Sequence, residues 1–293
     1  MSNIISERSF AFQQVDKPVR EYRITRGPGR PNSSEGHMDN FIIAEENKCK
    51  DMNTTGNLLV GVYTGINEAS PREYIRKTWG LTARTNPRIR LIFVVGSSTD
   101  AEAMNKIKME SLGNGDIVQG DFIDTYRNLT LKSFIFFKWA NLFCRNAKNL
   151  LKIDSDMQIN LAQLLDVLEL STIQDKFICS IVVKHNKVIR DASSKWYVPF
   201  QYYSEFVYPN HCPGAAYIVP KRIGMKIAAL PLPNEPFPVD DAYITGILRE
   251  ELQEDLTAGI FKFHHNRGKS VDMIFEGTNK KEIKSVRIMN FRH

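Results

Sequence analysis

Apolar runs alternate with segments of helical periodicity through the first half of the chain. Three runs have the composition of strands covered on both faces of a parallel sheet: residues 58–64, 90–96 and 150–153. Helical patterns occupy the stretches between these runs: a segment that begins at Ser70, residues 101–112 and residues 121–144. Strands that alternate with helices predict an α/β fold with a mostly parallel, doubly wound sheet, in which ligands bind beyond the carboxyl ends of the strands.

The first of these helices has a recognisable start. Ser70 is suited to the N-cap, Pro71 to the first helical position and Glu73 to closing a capping box. The helix in residues 121–144 is apolar on several faces, so it is predicted to be buried against the sheet.

Two carboxylates follow the third apolar run directly, as Asp154 and Asp156 in the sequence Asp-Ser-Asp. In extended backbone alternate side chains point to the same side, so both could approach one cation or its waters. Oxygen ligands of this kind suit Mg²⁺ or Mn²⁺, which normally share them with substrate phosphates. The alternative is that both aspartates form a turn that caps the next helix, and this pattern alone does not decide between the two.

The second half of the chain is less regular. It contains predicted strands in residues 177–183, 209–219 and 260–263 and a predicted helix in residues 242–252. A group of aromatic residues is suited either to stacking on sugar rings or to core packing: Trp196, Tyr197, Tyr202, Tyr203 and Tyr208. We predict a largely disordered arm over residues 1–55, one catalytic domain over residues 56–275 and a C-terminal tail over residues 276–293.

Composition excludes several classes of function. The chain has 293 residues and a net charge of +6, which is compatible with an anionic small ligand. No nucleic-acid motif is visible, and neither a dinucleotide fingerprint nor a P-loop follows the first strand. No apolar run approaches the length of a membrane span.

The four cysteines are widely spaced and include no C-x-x-C pair, which argues against a structural zinc site: Cys49, Cys144, Cys179 and Cys212. Two disulfides and four buried thiols are both compatible with this spacing. Three N-x-[ST] sequons, at Asn32, Asn53 and Asn128, are compatible with a secretory compartment.

A series of motifs in register resembles the β-1,3-galactosyltransferase family, glycosyltransferase family 31, which includes the Fringe-related hexosyltransferases. The resemblance covers residues 47 to about 266. The motifs are REYIRKTWG from Arg72, FVVG from Phe93, DIVQGDFIDTYRNLTLK from Asp116, KIDSD from Lys152, SKWYVP from Ser194, YPNHCPG from Tyr208 and DDAYITG from Asp240.

This resemblance implies a GT-A fold in a single Rossmann-like domain, a UDP-sugar donor, Mn²⁺ as cofactor and inversion at the anomeric carbon. By position, the implied metal residues are Asp156, Asp154 and His265, and the implied catalytic base is Asp241. The donor-binding residues implied are Arg72, Arg76, Lys132 and Asp154. The acceptor-binding residues implied are Trp196, Tyr197, Tyr217 and Asp240.

The same resemblance implies residence in the Golgi lumen, although the family's usual type II membrane anchor does not occur in this sequence. It also leads us to expect a disulfide between Cys144 and Cys212, with a pairing of Cys49 and Cys179 as a guess, and glycosylation at Asn128 and Asn53.

The predicted function is transfer of galactose from UDP-galactose to an N-acetylhexosamine or a related sugar in a β-1,3 linkage, on a glycan of a protein or lipid. The serine between the two aspartates is more typical of galactose transfer than of the alternative, N-acetylglucosamine transfer by the same family. A non-catalytic glycan-binding relative is a second alternative. A phosphatase of the haloacid dehalogenase class also uses Asp-x-Asp after a strand, but it places the motif after the first strand.

Overall fold

The computed structural model of the protein describes residues 40–52, 58–169, 175–259 and 264–265. Eight strands in these residues form one sheet: β1 (Phe41–Ile43), β2 (Leu58–Tyr63), β3 (Ile89–Ser97), β4 (Ile117–Ile123), β5 (Asn149–Asp154), β7 (Phe177–Cys179), β8 (Ala216–Pro220) and β9 (Leu256–Ala258). A second, two-stranded sheet joins β6 (Met157–Gln158) to β10 (His264–His265).

The order of strands in the large sheet is β1-β4-β3-β2-β5-β8-β7-β9. Strands β4, β3, β2 and β5 run parallel, whereas β1 and β8 are antiparallel to their neighbours β4 and β5. The predicted α/β fold with a mostly parallel sheet is therefore confirmed. In this arrangement Tyr63, the last residue of β2, pairs with Asp154, the last residue of β5.

Helices cover both faces of the sheet. They are α1 (Ala69–Lys77), α2 (Leu81–Thr85), α3 (Ala101–Asn114), α4 (Leu129–Phe143), α5 (Leu161–Leu168), α6 (Lys221–Ala228), α7 (Asp240–Ala242) and α8 (Leu248–Glu251). A single 3₁₀ turn, Tyr126–Asn128, precedes α4, and a π-helical turn, Tyr243–Ile247, joins α7 to α8. None of the helices in these ranges is both long enough and apolar enough to cross a bilayer.

Alternation along the strands divides the apolar residues into two cores. Leu59 and Tyr63 of β2 and Leu150 of β5 pack on the face covered by α4 and α6, together with the fully buried Trp139. The intervening residues of both strands pack on the other face, against α1, α3 and α5. Lys152 shares the α4 face with Leu150, so a lysine lies in the middle of a buried strand.

The predicted N-terminal boundary at residue 55 is wrong for part of the arm. Strand β1 pairs with β4, and Cys49 is buried and bonded to the end of α4, so residues 40–52 belong to the domain. The reason is tertiary: this short segment has no sustained hydrophobic period, yet β4 and Cys144 hold it in place. Residues 1–39 and the predicted tail, 276–293, lie outside the described residues.

The expected disulfide between Cys144 and Cys212 is also wrong. The structure pairs Cys49 with Cys144 and Cys179 with Cys212, each with a Cα–Cα distance of 5.1 Å. Cys179 ends β7, which is hydrogen-bonded to β8 just beyond Cys212, whereas Cys144 directly follows α4 beside the N-terminal segment. Because a disulfide requires its Cα atoms within about 7 Å, neighbourhood in the fold decides the pairing.

Several predicted boundaries differ in detail. Helix α1 begins at Ala69 with Glu68 as its N-cap, and no side chain caps it, so the predicted Ser70 cap is wrong. Glu68 instead accepts a hydrogen bond of 2.7 Å from the backbone N–H of Gly65, which shapes the loop before the helix. Strand β7 ends at Cys179, well before residue 183.

Candidate active site

The carboxyl end of β5 delivers the acidic motif to the edge of the sheet. Strand β5 ends at Asp154, and the chain then turns through Ser155 and the exposed Asp156 into β6. The backbone N–H of Ser155 donates to the carbonyl of Tyr63 at 3.2 Å, which fixes the turn against β2. Strand pairing therefore positions Asp154, and a turn positions Asp156.

Burial raises the pKa of Asp154, and the charges of Asp156 and Asp241 raise it further, while Lys152 opposes the shift. Asp156 and Asp241 are thus close enough to act on Asp154, although Asp241 lies far from it in sequence. Asp154 and Asp156 are a pair of carboxylates that repel each other, and a cation would stabilise such a pair.

Lys152 lies beside Asp154 and Gly214. Its Nζ is 2.5 Å from Oδ1 of Asp154, donates to the carbonyl of Gly214, and lies 4.9 Å and 5.8 Å from the ring centroids of Tyr63 and Tyr217. Burial alone would lower the pKa of Lys152, but the neighbouring aspartates, Asp154 first, more than offset it and raise the pKa. Lys152 therefore remains a cation beneath the carboxylates.

Asp240 belongs to a buried hydrogen-bond chain. The hydroxyl of Tyr63 donates to Oγ of Ser133 at 2.9 Å, and Ser133 donates to Oδ1 of Asp240 at 2.7 Å. Only 6% of Asp240 is exposed. Burial raises the pKa of Asp240 to about 7, against the opposing charge of Lys152 and the bond from Ser133.

Asp241, the next residue, is half-buried. Its Oδ1 accepts from the backbone N–H of Ala242 at 2.9 Å, and a Cβ added to Gly214 would lie 3.2 Å from its Oδ2. Glycine is thus the residue that leaves room for this carboxylate. Thr245 donates to the carbonyl of Asp241 and accepts from the N–H of Cys212, which ties the helix start to the segment before β8.

The backbone of His265 lies next to the acidic motif. In the β6–β10 pair His265 is opposite Met157, the residue that follows Asp156, and His264 is opposite Gln158. The side chains of both histidines lie outside the described part of the structure. Among the described side chains, no three or more His, Cys, Asp or Glu gather as a metal-binding group, so the role of His265 as third ligand stays a prediction.

The cations predicted to bind the donor are buried and paired with protein groups. Arg72 is 1% exposed, forms two hydrogen bonds with Glu110 and donates to the carbonyls of Gly65 and Ile66. Arg76 bonds to both oxygens of Asp116 and to Glu110. Burial would raise the pKa of Glu110, but the two arginines hold it below its ordinary value.

Lys132, on α4, donates to the carbonyl of Thr64 and lies 2.7 Å from Oδ1 of Asp124. Asp124 in turn accepts from the N–H of Gly96 at 2.9 Å. The donor contacts predicted for Arg72, Arg76 and Lys132 are therefore not what the structure gives them. Arg72 and Lys132 hold the loops at the carboxyl ends of β2 and β4, whereas Arg76 holds the residue that precedes β4.

Aromatic side chains form the outer wall of the site. Nε1–H of Trp196 donates to the hydroxyl of Tyr126 at 2.9 Å, and both residues are nearly half exposed. The Nζ of Lys195 lies 4.4 Å from the ring centroid of Trp196 and 5.0 Å from that of Tyr126. Burial raises the pKa of Tyr126, and the charges of Asp241 and Asp154 add to the shift, so this wall borders the carboxylates.

The other residues predicted to bind the acceptor are less accessible. Tyr217 is 0% exposed and packs beside Lys152, so it belongs to the interior, and the prediction that it contacts an acceptor is wrong. Asp240 is likewise enclosed, whereas Tyr197 is partly exposed beside Trp196.

Reasoning from sequence missed three residues of this site: Lys152, Ser133 and Tyr126. Lys152 was detectable, because it stands two positions before Asp154 on the same strand and so faces the same side. Ser133 and Tyr126 gave no such signal, since their partners are Asp240 and Trp196, distant in the chain.

The predicted glycosylation sites remain predictions. Asn128 donates through Nδ2 to the carbonyl of Ile123 at 2.8 Å, and Thr130 of its sequon is fully buried and donates to the carbonyl of Phe237. Asn53 lies outside the described residues.

Comparison with known proteins gives one family and several curated relatives. Residues 70–257 match the family model described as Galactosyltransferase. Mouse (Mus musculus) beta-1,3-galactosyltransferase 1 is 32% identical over 234 residues, 79% of this chain and 71% of that protein. Human (Homo sapiens) lactosylceramide 1,3-N-acetyl-beta-D-glucosaminyltransferase is 33% identical over 224 residues, 73% of this chain and 58% of that protein.

Proposed function

The chain belongs to the Galactosyltransferase family and is a glycosyltransferase, and from this premise we propose that it transfers galactose from UDP-galactose with inversion, in a metal-dependent reaction. The proposed acceptor is an N-acetylhexosamine or related sugar on a protein or lipid glycan, and the proposed linkage is β-1,3. One observation carries this proposal: Lys152 bonds both Asp154 of the β5 motif and the carbonyl of Gly214, and Gly214 lies against the half-buried Asp241, so these carboxylates meet at one edge of the sheet.

The residues at this edge fit a divalent cation. The carboxylates of Asp154 and Asp156 are hard oxygen donors, and their neighbours give them a surplus of negative charge that a cation would relieve. A site of two carboxylates that also uses substrate phosphates is typical of Mg²⁺ and Mn²⁺. We therefore propose that Asp156 and Asp154 hold Mn²⁺, with His265 as a further ligand.

When bound, the metal would neutralise charge on the leaving UDP, so that no protein acid is required at the leaving group. The chain itself supplies a base. Asp241 takes the proton from the acceptor hydroxyl, whose oxygen forms a bond to the anomeric carbon as the bond to UDP breaks. The UDP oxygen keeps the electron pair of the broken bond.

Asp241 is a better candidate for this base than Asp240 because of exposure. Asp240 is enclosed, accepts from Ser133 and has a pKa near neutrality, whereas Asp241 is partly accessible. A base must reach the hydroxyl that it deprotonates within hydrogen-bond distance.

The wall of Trp196 and Tyr126 supports the proposed acceptor. Aromatic faces suit the C–H faces of sugar rings, and the bond between these residues holds both rings in place beside the carboxylates. We propose that Trp196 and Tyr197 contact the acceptor.

We further propose that the protein works in the Golgi lumen. Both disulfides of the described chain are of the kind that persists in an oxidising compartment.

The direct test is UDP release from UDP-galactose and from UDP-N-acetylglucosamine, with and without Mn²⁺, across a panel of sugar acceptors. Acceptor-stimulated release from UDP-galactose that requires Mn²⁺ is the expected result. The human relative whose name includes N-acetylglucosaminyl transfer favours the second donor as the alternative. No release from either donor, in a protein that is folded by circular dichroism, would contradict the proposed function and favour a non-catalytic glycan-binding protein.

A further inference from the structure

Exposed apolar side chains concentrate in one segment, residues 181–207. Of the 14 large hydrophobic residues that are exposed among the described residues, six lie in this segment: Ile181, Ile189, Trp196, Phe200, Phe206 and Val207. Scattered exposed apolar residues are ordinary on a protein surface, but a concentration of them marks an interaction site.

Two of these residues, Phe200 and Phe206, contact each other, and together with Ile189 and Val207 we call them the outer patch. Phe206 is 74% exposed and Phe200 is 53% exposed, and their rings meet edge to face with centroids 6.1 Å apart. The guanidinium of Arg190, the neighbour of Ile189, lies 4.0 Å from the centroid of the Phe200 ring. Val207 is joined to Lys187 by an antiparallel bridge.

The backbone behind the outer patch is firmly held. Arg190 donates to the carbonyls of Val198, Tyr203 and Glu205 at 2.6 to 2.7 Å, and so crosslinks the loop from within. The inner side of the segment packs against helix α7 through a small core: Val188, Val198, Tyr208, Phe237 and Ala242. The phenyl rings are therefore held by a loop that packs against α7, the helix that contains Asp241.

The charges beside the outer patch indicate the kind of partner. Lys187 pairs with Val207, and the guanidinium of Arg190 lies over Phe200, so two cations border the outer patch. Lys184 is exposed in the same segment, whose acidic residues are Asp191 and Glu205. Lysine is depleted in protein–protein interfaces, but aromatic rings with lysines are typical of surfaces that lie on a bilayer. Each exposed lysine would add attraction to anionic headgroups.

We propose that the outer patch docks on a lipid bilayer, with the phenyl rings of Phe200 and Phe206 among the acyl chains and the lysines at the headgroups. This inference goes beyond the proposed reaction, because docking requires no turnover. It has a consequence for the reaction, since Trp196, which belongs to the same segment as the outer patch, donates to Tyr126 at the wall of the site. An acceptor glycan carried on a lipid would thereby be presented at the site.

Co-sedimentation of the full chain with vesicles tests the proposal without any activity measurement. The vesicles are pure phosphatidylcholine and phosphatidylcholine with roughly a quarter phosphatidylserine. We expect binding to both, stronger with phosphatidylserine and weakened by 0.5 M salt. Phe200→Ser together with Phe206→Ser should lower the partition coefficient at least tenfold.

The matched control is Met109→Ser with Leu112→Ser, which removes two apolar side chains of similar exposure from α3 and should leave vesicle binding unchanged. Phe206→Ser alone, at the more exposed position, gives a second variant if the double variant does not fold. Brominated lipid should quench the tryptophan fluorescence of the wild type, and this quenching should be lost in Trp196→Phe.

Vesicle binding that is absent in the wild type would overturn the proposal. So would equal losses in the patch and control variants, or concentration-dependent self-association that the patch variant abolishes while vesicles have no effect. Failure of sugar transfer with vesicle binding intact would count against the proposed function alone.

Discussion

Asp240 and Asp241 are consecutive residues that the fold places in opposite environments. Asp240 points into the interior, where Ser133 donates to it at 2.7 Å, and Asp241 is partly exposed beside Gly214. Two adjacent carboxylates thus have different exposure and different access to a substrate. This contrast leads to separate predictions for the two residues.

Asp241→Asn should lower kcat by roughly 10²- to 10⁴-fold, the usual contribution of a positioned general base. The amide does not accept a proton at neutral pH, so turnover should fall. Because the amide keeps the shape of the carboxylate, donor affinity should stay within about twofold of the wild type. Steady-state kinetics and calorimetry with UDP measure the two quantities. Asp240→Asn is the control; if it alone abolishes turnover while Asp241→Asn is active, the base has been assigned to the wrong residue.

Asp240 should make the free energy of unfolding depend on pH. Its pKa is about 7 in the folded protein and about 3.9 in an unfolded chain. Between these values the folded protein keeps a proton that the unfolded chain has released, so the contribution to stability is full below pH 4 and is lost as the pH rises towards 7. The slope from this one group is at most about 1.4 kcal/mol per pH unit.

Urea unfolding of the wild type and of Asp240→Asn from pH 4 to 8 measures this contribution, and the difference between the two proteins isolates it from other titrating groups. The difference should change between about pH 4 and pH 7 and be flat above pH 7. Parallel pH profiles would show that Asp240 is already ionised in the folded protein at low pH.

Asp156→Ala should abolish transfer and metal-dependent binding of UDP. Loss of this carboxylate would weaken binding of the cation, and the charge of the diphosphate would then be uncompensated. Asp166→Ala, which removes an aspartate from the nearby helix α5, serves as the control and should bind UDP normally. Calorimetry at fixed Mn²⁺ concentration gives both affinities. Unchanged affinity in Asp156→Ala would remove this residue from the site.

The bond between Cys49 and Cys144 should contribute strongly to stability, because it closes a loop with a sequence separation of 95 residues. In the chain-entropy model such a loop is worth on the order of 4–5 kcal/mol. Cys49→Ser with Cys144→Ser should lower the free energy of unfolding in this range, and the shorter loop of Cys179 and Cys212 should give a smaller loss. Mass mapping that finds Cys144 bonded to Cys212 would contradict the observed pairing.

The sequence by itself determined the class of fold and the place of the acidic motif. Continuous apolar runs specify strands buried on both faces, since a buried strand has no solvent side to mark with polar residues. The position of Asp154 at a strand end followed directly from the change in pattern after Ile153. The ordered series of motifs is by itself sufficient to identify the family.

Only the tertiary structure decided which groups meet. The disulfide pairing, the buried chain from Tyr63 to Asp240 and the bond between Trp196 and Tyr126 all join residues at least 33 positions apart. Local pattern reports burial and periodicity, but it carries no information on which distant side chain fills the neighbouring space. For the same reason Arg72 and Arg76 suggested a donor site in the sequence, and packing instead turned them towards Glu110 and Asp116.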